Sequence, residues 1–326
     1  SNNYTVALNY YDDKGRIVQS RSTNHLGGYD IVYNELDFTG KPSKTLKEHN
    51  IVSNGELQSG IPELYTYDYD HAGRLLKTKY QINNKPEVIL TDMTTGGYDE
   101  LGRLKIKKRH NGTDTESFVY NIRNWTTKIT SGSFEENLSY NIQNLSSMTP
   151  VFNGNISAVT WKYGNTSYAY SYTYDNLNRL TKSQGYQAYG TYLTNPMYAE
   201  EFNYDKQGNI QTLKRQRSTE TRLTDYLNYY YSGNQVNSIA DYCGSLHQYS
   251  IKEYQDISGQ AANEMSYDPN GNLIKDLDRN IYTIKYNILN LPEIIQFKDG
   301  HQIINQYDAS GKKLSSRYYT ILMRSE

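Results

Sequence analysis

The chain has 326 residues, with 34 Lys and Arg against 35 Asp and Glu, a net charge of −1 and a single Cys. The charge balance argues against a dedicated nucleic-acid binder, one cysteine excludes a disulfide framework or a cysteine-based zinc cluster, and no apolar run approaches the roughly 18 residues that span a bilayer. Tyrosine is the anomaly: 35 Tyr stand against 6 Phe and 2 Trp, while Leu, Ile, Val and Phe together supply 65 residues, about a fifth of the chain. Buried surface must therefore rest on tyrosine, whose hydroxyl needs a partner wherever its ring is buried. Ser1-Asn2-Asn3 opens the chain on polar ground, so an export signal is expected outside these residues.

Taken in chain order, the sequence is an internal repeat. The unit Tyr-Asp-x-x-Gly-Arg/Asn-Leu/Ile stands at Tyr11-Asp12-Asp13-Lys14-Gly15-Arg16-Ile17, Tyr69-Asp70-His71-Ala72-Gly73-Arg74-Leu75 and Tyr98-Asp99-Glu100-Leu101-Gly102-Arg103-Leu104. It returns at Tyr174-Asp175-Asn176-Leu177-Asn178-Arg179-Leu180, Tyr204-Asp205-Lys206-Gln207-Gly208-Asn209-Ile210, Tyr267-Asp268-Pro269-Asn270-Gly271-Asn272-Leu273 and Tyr307-Asp308-Ala309-Ser310-Gly311-Lys312. Degenerate copies lie between them, beginning at Asp37, Tyr120 and Tyr286. With copies from residue 11 to residue 314, residues 1–326 read as one array, both of whose ends look cut from a longer protein, with no separate toxin domain.

The unit predicts a hairpin. Asp at the first turn position accepts backbone N–H bonds, and Gly three residues on accepts positive φ; Asn124, Asn178 and Asn290 replace Gly with the other residue that tolerates that region. The flanks alternate with period two: Tyr65, Tyr67 and Tyr69 share one face, as do Tyr168, Tyr170, Tyr172 and Tyr174. No stretch has convincing helical spacing. About ten hairpins give about twenty strands, on the order of 100 Å of sheet at about 4.8 Å per strand. So wide a sheet must curl or split, and aliphatics are too few for a thick sandwich. The expected class is all-β: antiparallel hairpins rolled into a spiral shell with one face towards an interior, a segment of a larger shell.

These residues resemble the YD repeats of the Rhs (rearrangement hot spot) family, whose relatives include the shell proteins of insecticidal toxin complexes and the teneurins. The stretches Tyr65–Thr78 (YTYDYDHAGRLLKT), Asn153–Lys162 (NGNISAVTWK) and Tyr307–Leu314 (YDASGKKL) are similar to its bacterial surface branch, and the likeness covers the whole chain. The resemblance implies a β-shell (a YD-repeat cocoon) enclosing a toxin or effector polypeptide, with secretion or display at the bacterial cell surface. It also implies secretion-system or surface partners. The family's core closes with an aspartyl self-cleavage segment; the chain stops at Met323-Arg324-Ser325-Glu326 without one, and Asp268-Pro269-Asn270-Gly271 sits inside a repeat and reads as a turn.

Other chemistry is weighed against plain structure. The repeated Asp12, Asp70, Asp99, Asp175, Asp205, Asp268 and Asp308 read as turn residues, since catalytic carboxylate pairs need one cleft and divergent pKa values. A calcium loop at Asp268–Asn272 fails the EF-hand spacing, with Arg279 where the twelfth ligand belongs. His25, His49, His71, His110, His247 and His301 form no metal motif. Cys243 reads as a buried inert thiol. The basic runs Lys105–His110 and Lys214–Arg217 read as divided strand faces. Tyrosines read as cross-strand ladders, with a glycan platform as the alternative, and the sequon Asn155-Ile156-Ser157 as chance. The expectation is a non-enzymatic shell module with no cofactor and no metal, whose partners are enclosed cargo or the rest of its own shell. The alternative is a surface adhesion or glycan-binding module.

Overall fold

The computed structural model describes residues 6–24, 26–143, 145, 148–189, 192–216, 223–243, 254–256 and 263–321. Side chains within 188–195 are left aside, and His25, His247, Arg217 and the terminal residues 323–326 lie outside the described set. The protein is all-β, with antiparallel hairpins throughout; its helical content among the described residues is one 3-10 turn, His110–Gly112. Among the described residues twenty-five strands form a 19-stranded sheet and a 6-stranded sheet. The strand count exceeds the expected twenty, and one short strand, Glu56–Gln58, follows a tight two-residue loop.

The chain divides into two compact units. The first comprises Ser1–Val119, Thr130–Gly132 and Asn305–Arg317; the second comprises Tyr120–Ile129, Ser133–Ile304 and Tyr318–Glu326. In the first, β1 (Ala7–Tyr11), β2 (Ile17–Thr23), β3 (Tyr29–Leu36), β4 (Pro42–Ser53), β5 (Glu56–Gln58), β6 (Glu63–Tyr69), β7 (Leu75–Ile82), β8 (Val88–Asp92), β9 (Ile106–Arg109) and β10 (Asp114–Tyr120) follow one another. Each pairs antiparallel with the next, except that β4 carries both β5 and β6. β11 (Thr126–Ser131) has residues in both units, and in the second β12 (Phe134–Ser139), β13 (Ala158–Tyr163), β14 (Thr166–Tyr174), β15 (Leu180–Tyr189), β16 (Tyr192–Tyr204), β17 (Ile210–Gln216), β18 (Leu223–Ser232) and β19 (Gln235–Asp241) run in order. The smaller sheet holds β20 (Met265–Tyr267), β21 (Leu273–Asp276), β22 (Ile281–Tyr286), β23 (Pro292–Phe297), β24 (Gln302–Tyr307) and β25 (Lys313–Tyr319).

Strict alternation of strand direction puts the repeat turns of each unit on one edge and the intervening loops on the other. The opposite-edge loops use different chemistry. Ser53 pairs with Glu56 across Asn54-Gly55, both at positive φ (53° and 81°), the two-residue loop whose twist matches a hairpin. The repeat turns add a β-bulge. Tyr11, Tyr69, Tyr174, Tyr204 and Tyr267 pair with the residue six positions on, while the register before each slips by one. Each repeat therefore carries a device that sharpens local twist.

Apolar burial is sparse. Leu145, Met148, Ala158 and Ala169 pack with Tyr186, and Leu227, Ile239 and Met265 pack with Tyr229, Tyr254 and Tyr267 among others. Twelve apolar and twelve polar or charged described residues are buried, so hydrogen bonds must settle much of the interior.

Candidate functional site

The repeated feature is an aspartate turn with three parts. Asp175 shows all of them: Oδ1 accepts from Leu177 N and Arg179 N, each at 2.9 Å, and Oδ2 accepts from Arg179 Nε at 2.6 Å. The same carboxylate arrangement recurs at Asp12 and Asp99 with Arg16 and Arg103, and Asp70 holds Arg74 through backbone N–H and Nε. At Asp205 and Asp268 the side-chain amides of Asn209 and Asn272 take the place of arginine on Oδ2, while at Asp308 Ser310 Oγ donates to Oδ1. Asp37, Asn121 and Asn287 accept the same pair of backbone N–H groups. Gly15, Gly73, Gly102, Gly208, Gly271 and Gly311 stand at positive φ between 73° and 96°, as do Asn124, Asn178 and Asn290 between 62° and 65°. Glycine suits that region at no steric cost and asparagine at little.

The second part couples neighbouring turns. Eight tyrosines at the turns direct their hydroxyls back to a carbonyl at or near the start of the strand after the preceding turn. In the first unit Tyr69 donates to Pro42 O (3.0 Å) and Tyr98 to Leu75 O (2.7 Å). In the second Tyr140 donates to Thr126 O (2.8 Å), Tyr174 to Ile156 O (2.6 Å), Tyr204 to Leu180 O (2.7 Å) and Tyr231 to Ile210 O (2.7 Å). Tyr267 donates to Val236 O (2.9 Å) and Tyr286 to Leu273 O (2.8 Å). Tyr11, at the first turn, is 57% exposed. Burial pushes the phenol pKa of the eight clasped tyrosines upward, which keeps the donor proton in place.

The third part is a cation laid across the joint. Arg74 sits 4.7 Å over the Tyr98 ring and Arg179 4.7 Å over Tyr204, within cation–π range. Arg16 Nη1 and Arg179 Nη1 also donate to the carbonyls of the next turn's Asp37 (3.1 Å) and Asp205 (2.8 Å). Further along, Asn272 Nδ2 donates to Asn290 Oδ1 at 2.6 Å. A seated turn thus binds its own carboxylate and its neighbour's backbone at once. Tyrosines away from the turns stack across strands, Trp161 on Tyr168 (5.6 Å) and on Tyr170 (5.8 Å), and along β14, Tyr170 on Tyr172 (6.2 Å).

The turn carboxylates are held below the usual range. At Asp12, Asp70 and Asp175 the leading cause is the backbone N–H four residues on; at Asp268 it is the Asn272 amide. At Asp99, Asp205 and Asp308 burial acts upward and hydrogen bonds from the turn outweigh it. An aspartate titrates near pH 4 when unfolded. A lowered folded value gives stability that is complete above that pH and is lost as pH falls through the folded values. The clasped phenols act in the opposite sense, contributing fully below about pH 10 and losing their effect above it. The melting temperature is expected to be flat between about pH 5 and pH 9 and to fall on both sides. A melting temperature that rises between pH 4 and pH 3 in a thermal series would contradict this.

A second cluster has no counterpart in the repeat. In the second unit Asp225, Glu264, Asp276 and Asp278 are buried to between 0% and 5% exposure. Arg215 Nε (2.9 Å) and Tyr254 N (3.1 Å) donate to Asp225, Ile239 N donates to Glu264 Oε2 (3.0 Å), and Arg279 Nη1 donates to Asp276 (2.5 Å). The Tyr254 hydroxyl donates to Asp278; burial first and then that carboxylate drive its pKa far upward. Asp256, Glu264 and Asp278 bring one carboxylate oxygen each to within 4.8 Å of one another, the donor type that hard divalent cations take. The Asp276-Leu277-Asp278 alternation is its faint mark in the sequence.

The remaining candidates sit apart. Asp268 spends its oxygens on Asn270 N, Asn272 N and Asn272 Nδ2. His49 pairs with Asp30 (2.5 Å) and His301 with Asp299 (3.0 Å), while His71 lies in a turn and His110 in the 3-10 turn. Cys243 is half-buried rather than buried, because it lies just beyond the end of β19. In the basic runs, Lys107 and Arg109 pair with Glu116, and Lys214 lies 4.7 Å over Tyr226.

Neither a family model nor a curated protein matches the chain. Solved structures do. A chain of the TcdB2-TccC3-Cdc42 crystal structure is 9% identical over 96% of this chain and 17% of its own length, with a TM-score of 0.41. A chain of the Tc holotoxin pore of Photorhabdus luminescens is 13% identical over 96% of this chain and 18% of its own, with a TM-score of 0.31. A porin-like protein from Bacteroides uniformis is 9% identical over 73% of this chain and 94% of its own, with a TM-score of 0.23. The chain thus spans less than a fifth of the two toxin-complex chains, and likenesses this distant assign no function.

Proposed function

We propose that this chain is a structural, non-enzymatic section of an Rhs-type β-shell that encloses or carries an effector polypeptide for delivery outside the cytoplasm or at the cell surface. The supporting observation is the clasp: one set of Tyr, Asp and Gly residues recurs from turn to turn and serves to bind the turn and its neighbour. In this reading Tyr11, Asp12, Gly15 and their counterparts in the later copies are fasteners, and the same fastening serves the adjoining segments of the shell. The sheet acts by exclusion, keeping its cargo from solvent and proteases. Its polar interior groups hold that cargo without one tight apolar interface.

The test is limited proteolysis of the full-length protein that carries this chain, with and without the paired substitutions Gly73→Val and Gly102→Val. Gly73 and Gly102 stand at φ +73° and +80°, and an added Cβ would meet Lys41 Nζ at 2.0 Å and Arg74 Nη1 at 3.1 Å. A β-branched residue is a genuine outlier at such φ. The parent is expected to protect a second polypeptide segment, and the double variant to release both it and the array to protease. Equal resistance of the two proteins rules out the fastening role. An array that opens with no protected segment in the parent rules out enclosure.

A further inference from the structure

The second unit contains a concavity of about 500 Å³ on the small sheet, lined by Lys275, Asn280, Tyr282, Phe297 and Lys298 among others. That volume lies within the range of small-ligand sites. Leu277, Ile281 and Phe297 supply apolar surface to its lining. A register slip between Ile281 and Thr283 places Tyr282 at a bulge in β22, and the side chain stands 63% exposed. Bulges re-aim side chains and are enriched beside binding sites. Lys275 and Lys298 border the same space, and neither ammonium group joins an ion pair among the described residues. The acid next in sequence, Asp299, turns instead to His301 Nδ1 at 3.0 Å.

An apolar lining, an outward aromatic ring and two uncommitted cations at the rim have one complement: a flat apolar body carrying a negative group. We propose that this concavity binds a small amphipathic anion, an aromatic or alkyl carboxylate. The body lies against Phe297 and Tyr282, and the carboxylate reaches the rim ammonium groups, whose stems line the wall. The site is independent of the shell reading, because it uses no residue of the repeat turns.

The experiment is calorimetric titration of the chain with 2-naphthoate, beside 2-naphthalenemethanol, which keeps the ring and lacks the charge. Saturable one-to-one binding of naphthoate is expected, at least tenfold tighter than the alcohol. Lys298→Ala should weaken it several-fold and Tyr282→Ser should abolish it. Both positions are exposed, so an unchanged melting temperature separates lost binding from lost folding. Lys275→Met, at the half-buried rim position, provides a second charge deletion. No saturable binding at millimolar naphthoate, equal affinity for the alcohol, or parental affinity in the variants would each overturn the proposal.

Discussion

Replacing Tyr174, Tyr204, Tyr231, Tyr267 and Tyr286 together by Phe is expected to cost about 5 kcal/mol of stability, at about 1 kcal/mol for each hydroxyl removed. The rings stay, so most of the buried area and the Arg179 contact with ring 204 stay too. What is lost is five O–H donors to the carbonyls of Ile156, Leu180, Ile210, Val236 and Leu273. The joints are about two strand spacings apart, close to 10 Å, a separation at which mutational effects add. Against a typical total of about 5–15 kcal/mol, the quintuple variant should be largely unfolded or should melt in separate steps, as expected where stability is a sum of neighbour terms. Urea denaturation followed by circular dichroism reads this directly. A total loss under about 1 kcal/mol would show that the hydroxyls are ornamental.

The second large effect lies in the acidic cluster. Arg215→Met is expected to cost about 3 kcal/mol, because it leaves Asp225, 1% exposed, with the Tyr254 N–H as its remaining donor among the described residues. Pairing Arg215→Met with Asp225→Leu should restore most of the loss, since a buried ion pair replaced by apolar groups of similar volume is often neutral. The check is a urea midpoint for each single variant and for the double. A double variant as unstable as Arg215→Met alone would mean that packing, not the orphaned charge, sets the cost. In the turns the same truncation should matter less, because Arg179 and Asp175 keep 27% and 22% of their side-chain surface in water, where ion pairs are weak.

The hairpin array was legible because every copy states its turn locally. Asp first and Gly or Asn fourth need only their own backbone to act, and the alternation of Tyr168, Tyr170 and Tyr172 needs only its own strand. The clasp was half legible: an excess of tyrosine called for hydroxyl partners, but which carbonyl each one meets depends on the register between strands from different repeats. Asn24 shows the same limit in miniature. Its side chain accepts from Leu26 N and Gly28 N at 3.1 Å, making an aspartate-type turn on the opposite edge without the repeat's spelling. The acidic cluster was hidden because Asp225, Asp256, Glu264 and Asp278 come from segments far apart in sequence. Charges that read as solvated one by one become a site when folding gathers them.

The central claim is that each hairpin is fastened to the one before it by a tyrosine hydroxyl. Native-state hydrogen exchange on Tyr204→Phe tests it most directly. Protection should fall roughly fivefold, the equivalent of about 1 kcal/mol, at amides of β15 and β16 around Leu180, and should hold in β2 to β4. A uniform fall throughout the chain, or no fall beside Leu180, would contradict it.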